Sequence, residues 1–312
     1  MLSRPHSFSM PVRSSQPTMI LVTGAAGKTG KAIIRLLSNK GECVKALVFH
    51  PEQIQEIEIL GAREVVAGDM RDSSCVRNAL HGVASVYHIC PNVHLDEIAM
   101  GQVIIEASES VGIAQFVYHS VLHPQIESMP HHWKKMRVEE RLLESGLPYT
   151  ILQPAVYMQN ISTNWQNILE KRTYSIPYAI ESRISMVDLE DVALAAVNVL
   201  TEVSPMGNKM LHLGATYELV GTPAMSPKEI SAIISRHLGF PVIAESLPRD
   251  AWERQARKSG LGDYQIKTLS KMFEYYEDHG FWGNSQVLNL LIHRPPTNLD
   301  AYISRLTEDH YQ

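Results

Sequence analysis

A short β-rich apolar run, Met19-Ile20-Leu21-Val22-Thr23, leads directly into Gly24-Ala25-Ala26-Gly27-Lys28-Thr29-Gly30 and then into apolar residues at helical spacing over 31–39. This strand, glycine turn and helix constrain the chain more than any other feature. A helix N-terminus presents backbone N–H groups without intrahelical partners, together with the positive end of the helix dipole. A pyrophosphate can bind there if no side chain stands in the way. A side chain at Gly24 would obstruct the tight turn, one at Gly27 would hold the phosphate away, and one at Gly30 would push the helix from the strand. The spacing is GxxGxxG rather than GxGxxG, and by itself it also suits an ordinary tight turn. The surrounding elements decide between the two.

Those elements alternate. Strands are expected over 19–23, 43–49, 63–67, 85–89, 115–119 and 149–153, and helices over 31–39, 53–60, 75–80, 100–110 and 130–144. Short strands separated by helices imply right-handed crossovers and an α/β doubly wound parallel sheet covered on both faces. After residue 153 the rhythm changes. Residues 155–185 are loop-rich, and a helix over 187–200 is expected to return to the first domain. The tail mixes strands over 210–213 and 242–246 with helices over 227–237, 250–259 and 265–277, broken by frequent prolines. It reads as a smaller C-terminal α+β substrate lobe over the carboxyl ends of the strands.

The expected organisation is therefore an extension over 1–18, a dinucleotide-binding domain over 19–155 and a lobe making up most of 156–312. The extension holds five Ser, three Pro, two Arg and no acid. It reads as a disordered start, with an organelle address as the other reading. The 28 basic and 33 acidic residues give a net charge of −5, which argues against nucleic-acid contact, since that requires a basic surface. Three cysteines without a CxxC spacing argue against a disulfide framework or structural zinc and favour a reducing, cytoplasmic setting. No stretch is long and apolar enough to span a membrane.

The end of the second strand bears on which dinucleotide is bound. An acid there would hold a ribose 2′-hydroxyl and favour NAD. The sequence instead reads Val48-Phe49-His50-Pro51, with no acid before Glu52, so NADP is expected, with NAD still possible. Lys28 and His50 would face the extra phosphate and Phe49 the adenine, unless the first two are simply solvated. Asp69 would accept from the adenine amino group, or else cap the following helix.

Several segments carry a resemblance. They are the glycine turn, Tyr118-His119-Ser120-Val121-Leu122-His123-Pro124, the HHWKKMRVEE run from His131, the SGLPYTILQPAVYMQN run from Ser145, and Val187-Asp188-Leu189-Glu190-Asp191-Val192-Ala193. With them the chain resembles the NmrA-like branch of the atypical short-chain dehydrogenase/reductases. The resemblance implies a Rossmann domain with a small C-terminal substrate lobe, and one of two functions. One is an NADPH-dependent oxidoreductase that transfers hydride to an apolar quinone, carbonyl or conjugated alkene. The alternative is a non-catalytic NAD(P)-binding redox sensor or regulator, which alone would require a protein partner.

The candidate cofactor contacts are Gly24, Ala26, Gly27, Lys28, Thr29 and Gly30 in the turn, then Phe49, His50 and Asp69, together with Lys135 and Pro154. Standard short-chain dehydrogenases use a Ser and a Tyr-x-x-x-Lys pair, and no Tyr here is followed four residues later by Lys. By position His131 matches the Tyr and Lys135 the Lys. These two share a helix face with Glu139. The candidate catalytic residues are Lys135, His131 as an imidazolium proton donor, Ser120 to orient a carbonyl, and Tyr157 as a pocket wall or proton donor. The opposing reading makes this helix a solvated face with a weak Lys135–Glu139 pair. His88, Cys90, Pro91 and Asn92 follow the fourth strand, with Cys90 read as structural. No metal is assigned to His119, His123, His131 and His132, which lack a carboxylate or Cys at ligand spacing. Trp252, Phe273, Tyr275, Tyr276, Phe281 and Trp282 suit either a lobe core or a pocket for a planar substrate.

Overall fold

The structure, a computed structural model, describes residues 19–203 and 211–311, so the expectations for 1–18 lie outside the described residues. Six strands, β1 (Met19–Val22), β2 (Cys43–Val48), β3 (Glu64–Ala67), β4 (Val83–His88), β5 (Gln115–His119) and β6 (Tyr149–Pro154), alternate with five helices. These are α1 (Lys28–Asn39), α2 (Ile54–Ile59), α3 (Ser73–Leu80), α4 (Glu97–Val111) and α5 (Pro130–Glu144). Then come β7 (Val156–Tyr157), α6 (Gln159–Ser162), α7 (Trp165–Lys171), β8 (Thr173–Ile176), β9 (Met186–Val187), α8 (Leu189–Thr201) and β10 (Ala215–Leu219). The chain ends with α9 (Pro227–Leu238), β11 (Ile243–Ser246), α10 (Arg249–Lys258), α11 (Asp263–His279), α12 (Gln286–Ile292) and α13 (Leu299–Tyr311).

The main sheet has seven strands in the order β10-β6-β5-β4-β1-β2-β3, and every pairing in it is parallel. The doubly wound α/β expectation holds. Apolar residues cover both faces, as a parallel sheet requires. On one face Ile33, Ile34 and Leu37 of α1 and Val192, Ala195 and Ala196 of α8 pack together. On the other, Val76 of α3, Ile104 and Ile105 of α4, and Val138 and Leu142 of α5 form a second cluster. α8 lies along α1 on that face of the sheet.

One correction concerns the tail. The strand expected over 210–213 belongs to a turn where it is described, at 211–213. The strand begins instead at Ala215, and it pairs in parallel with β6, Ala215 opposite Thr150 and Leu219 opposite Pro154. It therefore closes the main sheet rather than joining the lobe.

The lobe has its own core of Ile161, Trp165, Ile168, Ile234 and Ile303, and a two-stranded sheet of β8 and β11. Local chemistry places α9. Ser226 accepts from the Glu229 N–H while Glu229 accepts from the Ser226 N–H, Pro227 opens the first turn, and Gly239 ends the helix in the left-handed region. This is a capping box with a glycine stop.

Candidate functional site

The three glycines of the turn differ in what requires them. Gly24 has φ +58°, and a Cβ there would meet the Ile89 carbonyl oxygen at 2.8 Å. At Gly30 a Cβ would lie 2.5 Å from the Gly24 oxygen and 2.8 Å from Ala25 Cα. Both are required by the packing of the chain itself. Gly27 is extended at φ −74° and ψ 161°, a conformation open to any residue, and its added Cβ would meet only the Gly24 oxygen, at 3.3 Å. Gly27 is exposed and caps α1, no side chain caps that helix, and no acid stands in its first turn. The N–H groups of that turn are the uncompensated donors that attract an anion. Ala26 and Thr29 are half-buried beside them, and Lys28 is exposed.

At the end of β2, Phe49 is 56% exposed and sits edge-on to His50, with ring centroids 4.6 Å apart. The His50 N–H donates to Gln53 Oε1 at 2.9 Å, opening a short 3-10 turn. Asp69 does not cap α3, because that cap is Asp72, which accepts from the Ser74 N–H at 2.8 Å. Asp69 instead receives Arg71 Nε at 3.1 and 3.0 Å and Nη2 at 2.6 Å. This hydrogen-bonded guanidinium holds its carboxyl below the usual range.

The α5 face departs from its solvated reading. Lys135 is 5% exposed, and His131 and Glu139 are equally buried. Lys135 does not pair with Glu139. Its ammonium donates to Glu97 Oε1 at 2.9 Å and to the His119 carbonyl at 3.1 Å, and Tyr118 Oη donates to the same Glu97 oxygen at 3.2 Å. Glu97, 1% exposed, is the partner that sequence reasoning missed. It stands in the first turn of α4, where an acid is ordinary, and nothing nearby in the sequence points to Lys135. Glu139 accepts from Ser120 Oγ and, at 3.0 and 3.1 Å, from Gln153 Nε2. Burial pushes its carboxyl up against the pull of those bonds. Ser120 is thus buried and engaged with Glu139. Burial and the Lys135 ammonium hold His131 well below its ordinary value. The expected imidazolium is therefore a neutral ring at pH 7. Pro154 is buried at the end of β6, and its carbonyl accepts from the Leu122 N–H at 2.9 Å.

A second polar chain crosses the sheet edge to the glycine turn. Tyr157 Oη lies 3.1 Å from His119 Nε2 and receives Thr29 Oγ1 at 3.4 Å. On the far side, His119 Nδ1 lies 2.8 Å from Tyr87 Oη. Burial pushes His119 down to about 3. Tyr157 is the sequence candidate that the fold brings to the glycine turn. In the sequence His119 is only one of several histidines, because its partners are 32 and 38 residues away.

His88 is fully buried. It sits 2.9 Å from Thr23 Oγ1 and stacks on Tyr118 with centroids 5.7 Å apart. Cys90 packs its sulfur 3.5 Å from Met100 Sδ, and burial raises its thiol; a thiol so raised is inert.

The lobe aromatics divide between the two readings. Trp252 meets Phe273 edge-on at 4.8 Å, and Tyr276 and Phe281 are buried against each other at 5.1 Å. Tyr275, Phe281 and the 64% exposed Trp282 also line a cavity of about 430 Å³ with His123 and Glu218. His123 Nε2 donates to the Trp282 carbonyl at 2.8 Å, so this cavity opens beside the β5–α5 loop that starts at Ser120. Among the described residues, no group of three or more His, Cys, Asp or Glu could hold a metal ion, and no helix is long and apolar enough to cross a membrane.

Comparison with known proteins adds four findings. The profile of the NmrA-like family matches residues 16–303. The NAD(P)H azoreductase of Xenophilus azovorans is 31% identical over 82% of this chain and 86% of its own. Quinone oxidoreductase 2 of Escherichia coli (strain K12) is 26% identical over 92% of this chain and 98% of its own. The crystal structure of the NADPH-dependent E. coli quinone oxidoreductase complexed with NADPH superimposes with a TM-score of 0.80 at 25% identity, covering 92% of this chain and 99% of that one.

Proposed function

The chain belongs to the NmrA-like family, and from that premise we propose that it is an NADPH-dependent reductase of apolar, quinone-like aromatic substrates. The observation that carries the reading is Gly27: its own backbone does not demand a glycine, yet it stands exposed at the uncapped end of α1. A glycine there fits the close approach of a phosphate. The azoreductase and quinone oxidoreductase relatives supply the reaction class, and the NADPH-bound neighbour favours the phosphorylated dinucleotide, as does the missing acid after β2.

The residues present fit that cofactor. Gly24, Ala26, Gly27, Thr29 and Gly30 form the cradle for the pyrophosphate, and Lys28 and His50 supply donors for the ribose phosphate. The exposed ring of Phe49 suits the adenine, and Asp69 keeps acceptor capacity beyond Arg71 for the adenine amino group. Lys135 uses two ammonium protons on Glu97 and His119, and the third is assigned to the nicotinamide ribose beside Pro154. When bound, the dinucleotide supplies the hydride. The chain orients it and excludes water. Ser120 and Glu139 fix the floor of the site, and the cavity at Tyr275 and Trp282 takes a planar ring. The free cysteines fit a cytoplasmic setting.

The test incubates the protein with NADPH and a panel of quinones and azo dyes while following the reduced-nicotinamide absorbance. Consumption that depends on the acceptor is expected. Tight NADPH binding without consumption across the panel would overturn the reductase reading in favour of a dinucleotide-binding regulator.

A further inference from the structure

Tyr87 is fully buried, and among the described residues its hydroxyl has one hydrogen-bond partner, His119 Nδ1 at 2.8 Å. Two tautomers of His119 are conceivable. If Nδ1 carried the hydrogen it would donate to Tyr87 Oη, and the phenolic hydrogen of Tyr87 would be buried with nothing to receive it, which is costly. If Nδ1 is bare, the Tyr87 hydroxyl donates to it and the fully buried phenolic hydrogen is satisfied. A neutral ring has a single N–H, so the hydrogen then sits on Nε2. Burial keeps this ring neutral.

Nε2–H therefore donates to Tyr157 Oη at 3.1 Å, and Thr29 donates to the same oxygen at 3.4 Å. In this arrangement the Tyr157 oxygen accepts twice, which leaves its own hydrogen to be donated elsewhere. Tyr157 is half-buried, unlike the fully enclosed Tyr87. Thr29 lies in the glycine turn, which places this hydroxyl beside the cofactor cradle. His131, at the position a tyrosine occupies in related enzymes, is instead a buried neutral imidazole.

Resting on the reductase reading above, we infer that Tyr157 is the proton donor of the reaction and that His119, locked by Tyr87 with its hydrogen on Nε2, is the positioning residue that prepares it. In the reduction of a quinone, hydride brings two electrons and one hydrogen. The Tyr157 Oη–H bond breaks, an O–H bond forms on the substrate oxygen, and the product is the hydroquinone. The phenolate left behind is stabilised by Nε2–H and the Thr29 hydroxyl, and it recovers a proton from water. Burial raises the phenol above its ordinary value, so the group holds its proton at neutral pH until a substrate arrives.

The test has two readouts. Nitrogen NMR of the histidine-labelled chain without cofactor assigns the tautomer, with His119 identified by the signals lost in His119→Gln. A bare Nδ1 and a protonated Nε2 are expected, and the reverse overturns the inference. Kinetics with NADPH and a quinone then compare variants. Tyr157→Phe should lower kcat by about 100-fold or more while leaving NADPH affinity within about twofold. His119→Leu should lower kcat similarly. His119→Gln should recover most of it, because its amide N–H can replace Nε2–H while its carbonyl accepts from Tyr87. Tyr87→Phe, which removes only the lock, should lower kcat by roughly tenfold. A merely structural His119 would make Gln no better than Leu, and wild-type kcat in Tyr157→Phe would remove the donor. If NMR finds the expected tautomer but the unmodified protein consumes no NADPH with any quinone, the reductase reading fails and the donor role with it. The hydrogen-bond assignment of His119 then stands alone.

Discussion

At the glycine turn the groups on offer are backbone N–H donors at an exposed, uncapped helix end. On the α5 face, a short distance along the same sheet edge, the polar groups are side chains that already hold one another: Lys135 with Glu97, Ser120 and Gln153 with Glu139. The turn offers donors that no side chain of the protein caps. The α5 network is held mainly by its own side chains, so it fixes geometry, and removing any of these partners leaves a buried polar group exposed to no water. Binding sites and the frameworks behind them can thus be told apart by where their hydrogen bonds end.

This contrast can be broken most forcefully at Glu97. Glu97→Leu leaves the Lys135 ammonium buried with only a carbonyl to meet it, and should destabilise the fold by about 3–5 kcal/mol, read as a lower denaturant midpoint. Adding Lys135→Met to that variant should recover most of the loss, since an apolar pair of similar volume replaces the ions. A single variant as stable as the unmodified protein would show that the pair is not the support described.

Acid should act on the same inner network. Burial holds His88 and His119 at about 3, against about 6.5 in the unfolded chain. Below about pH 6.5 the unfolded chain takes up protons that the folded chain refuses, so stability falls as pH drops and returns as it rises. Each ring should contribute about 1.4 kcal/mol per pH unit inside that window. Urea midpoints measured between about pH 7 and about pH 5 should show the slope, and His119→Gln should reduce it by one ring's share. An unchanged slope would mean that His119 titrates normally.

The smallest effect on stability, and the sharpest on function, belongs to Gly27. Gly27→Ala should change stability by no more than about 1 kcal/mol in either direction, because its backbone is ordinary and its new methyl meets one oxygen at 3.3 Å. NADPH affinity, titrated by nicotinamide fluorescence, should nevertheless fall at least about tenfold, which is about 1.4 kcal/mol. Equal loss of stability and affinity would erase the distinction between turn and network.

What could be read from the sequence follows the same division. β5 and α5 occupy the residues expected, because an apolar run between turns marks the first and Pro130 at the helix start marks the second. The turn was legible because its chemistry is local: glycines, a strand before and a helix after. The α5 network was not, since a helix bearing His, Lys, Arg and Glu looks solvated until α4 is laid against it. Glu97 lies 38 residues from Lys135, and Tyr157 lies 128 from Thr29. No spacing rule connects them. β10 differs from its expected range for a related reason: Gly214, at φ +77°, ends the turn, and the strand starts at the next residue.

That last strand has a consequence for how the protein is made. β6 borders β5 on one side, and its other side stays bare until Ala215–Leu219 arrives. During synthesis the unpaired edge of β6 from Thr150 to Pro154 must wait while some sixty further residues are translated, and an exposed ladder of that kind invites pairing with a neighbouring nascent chain. Chains that stop anywhere in that interval would therefore keep an unpaired sheet edge.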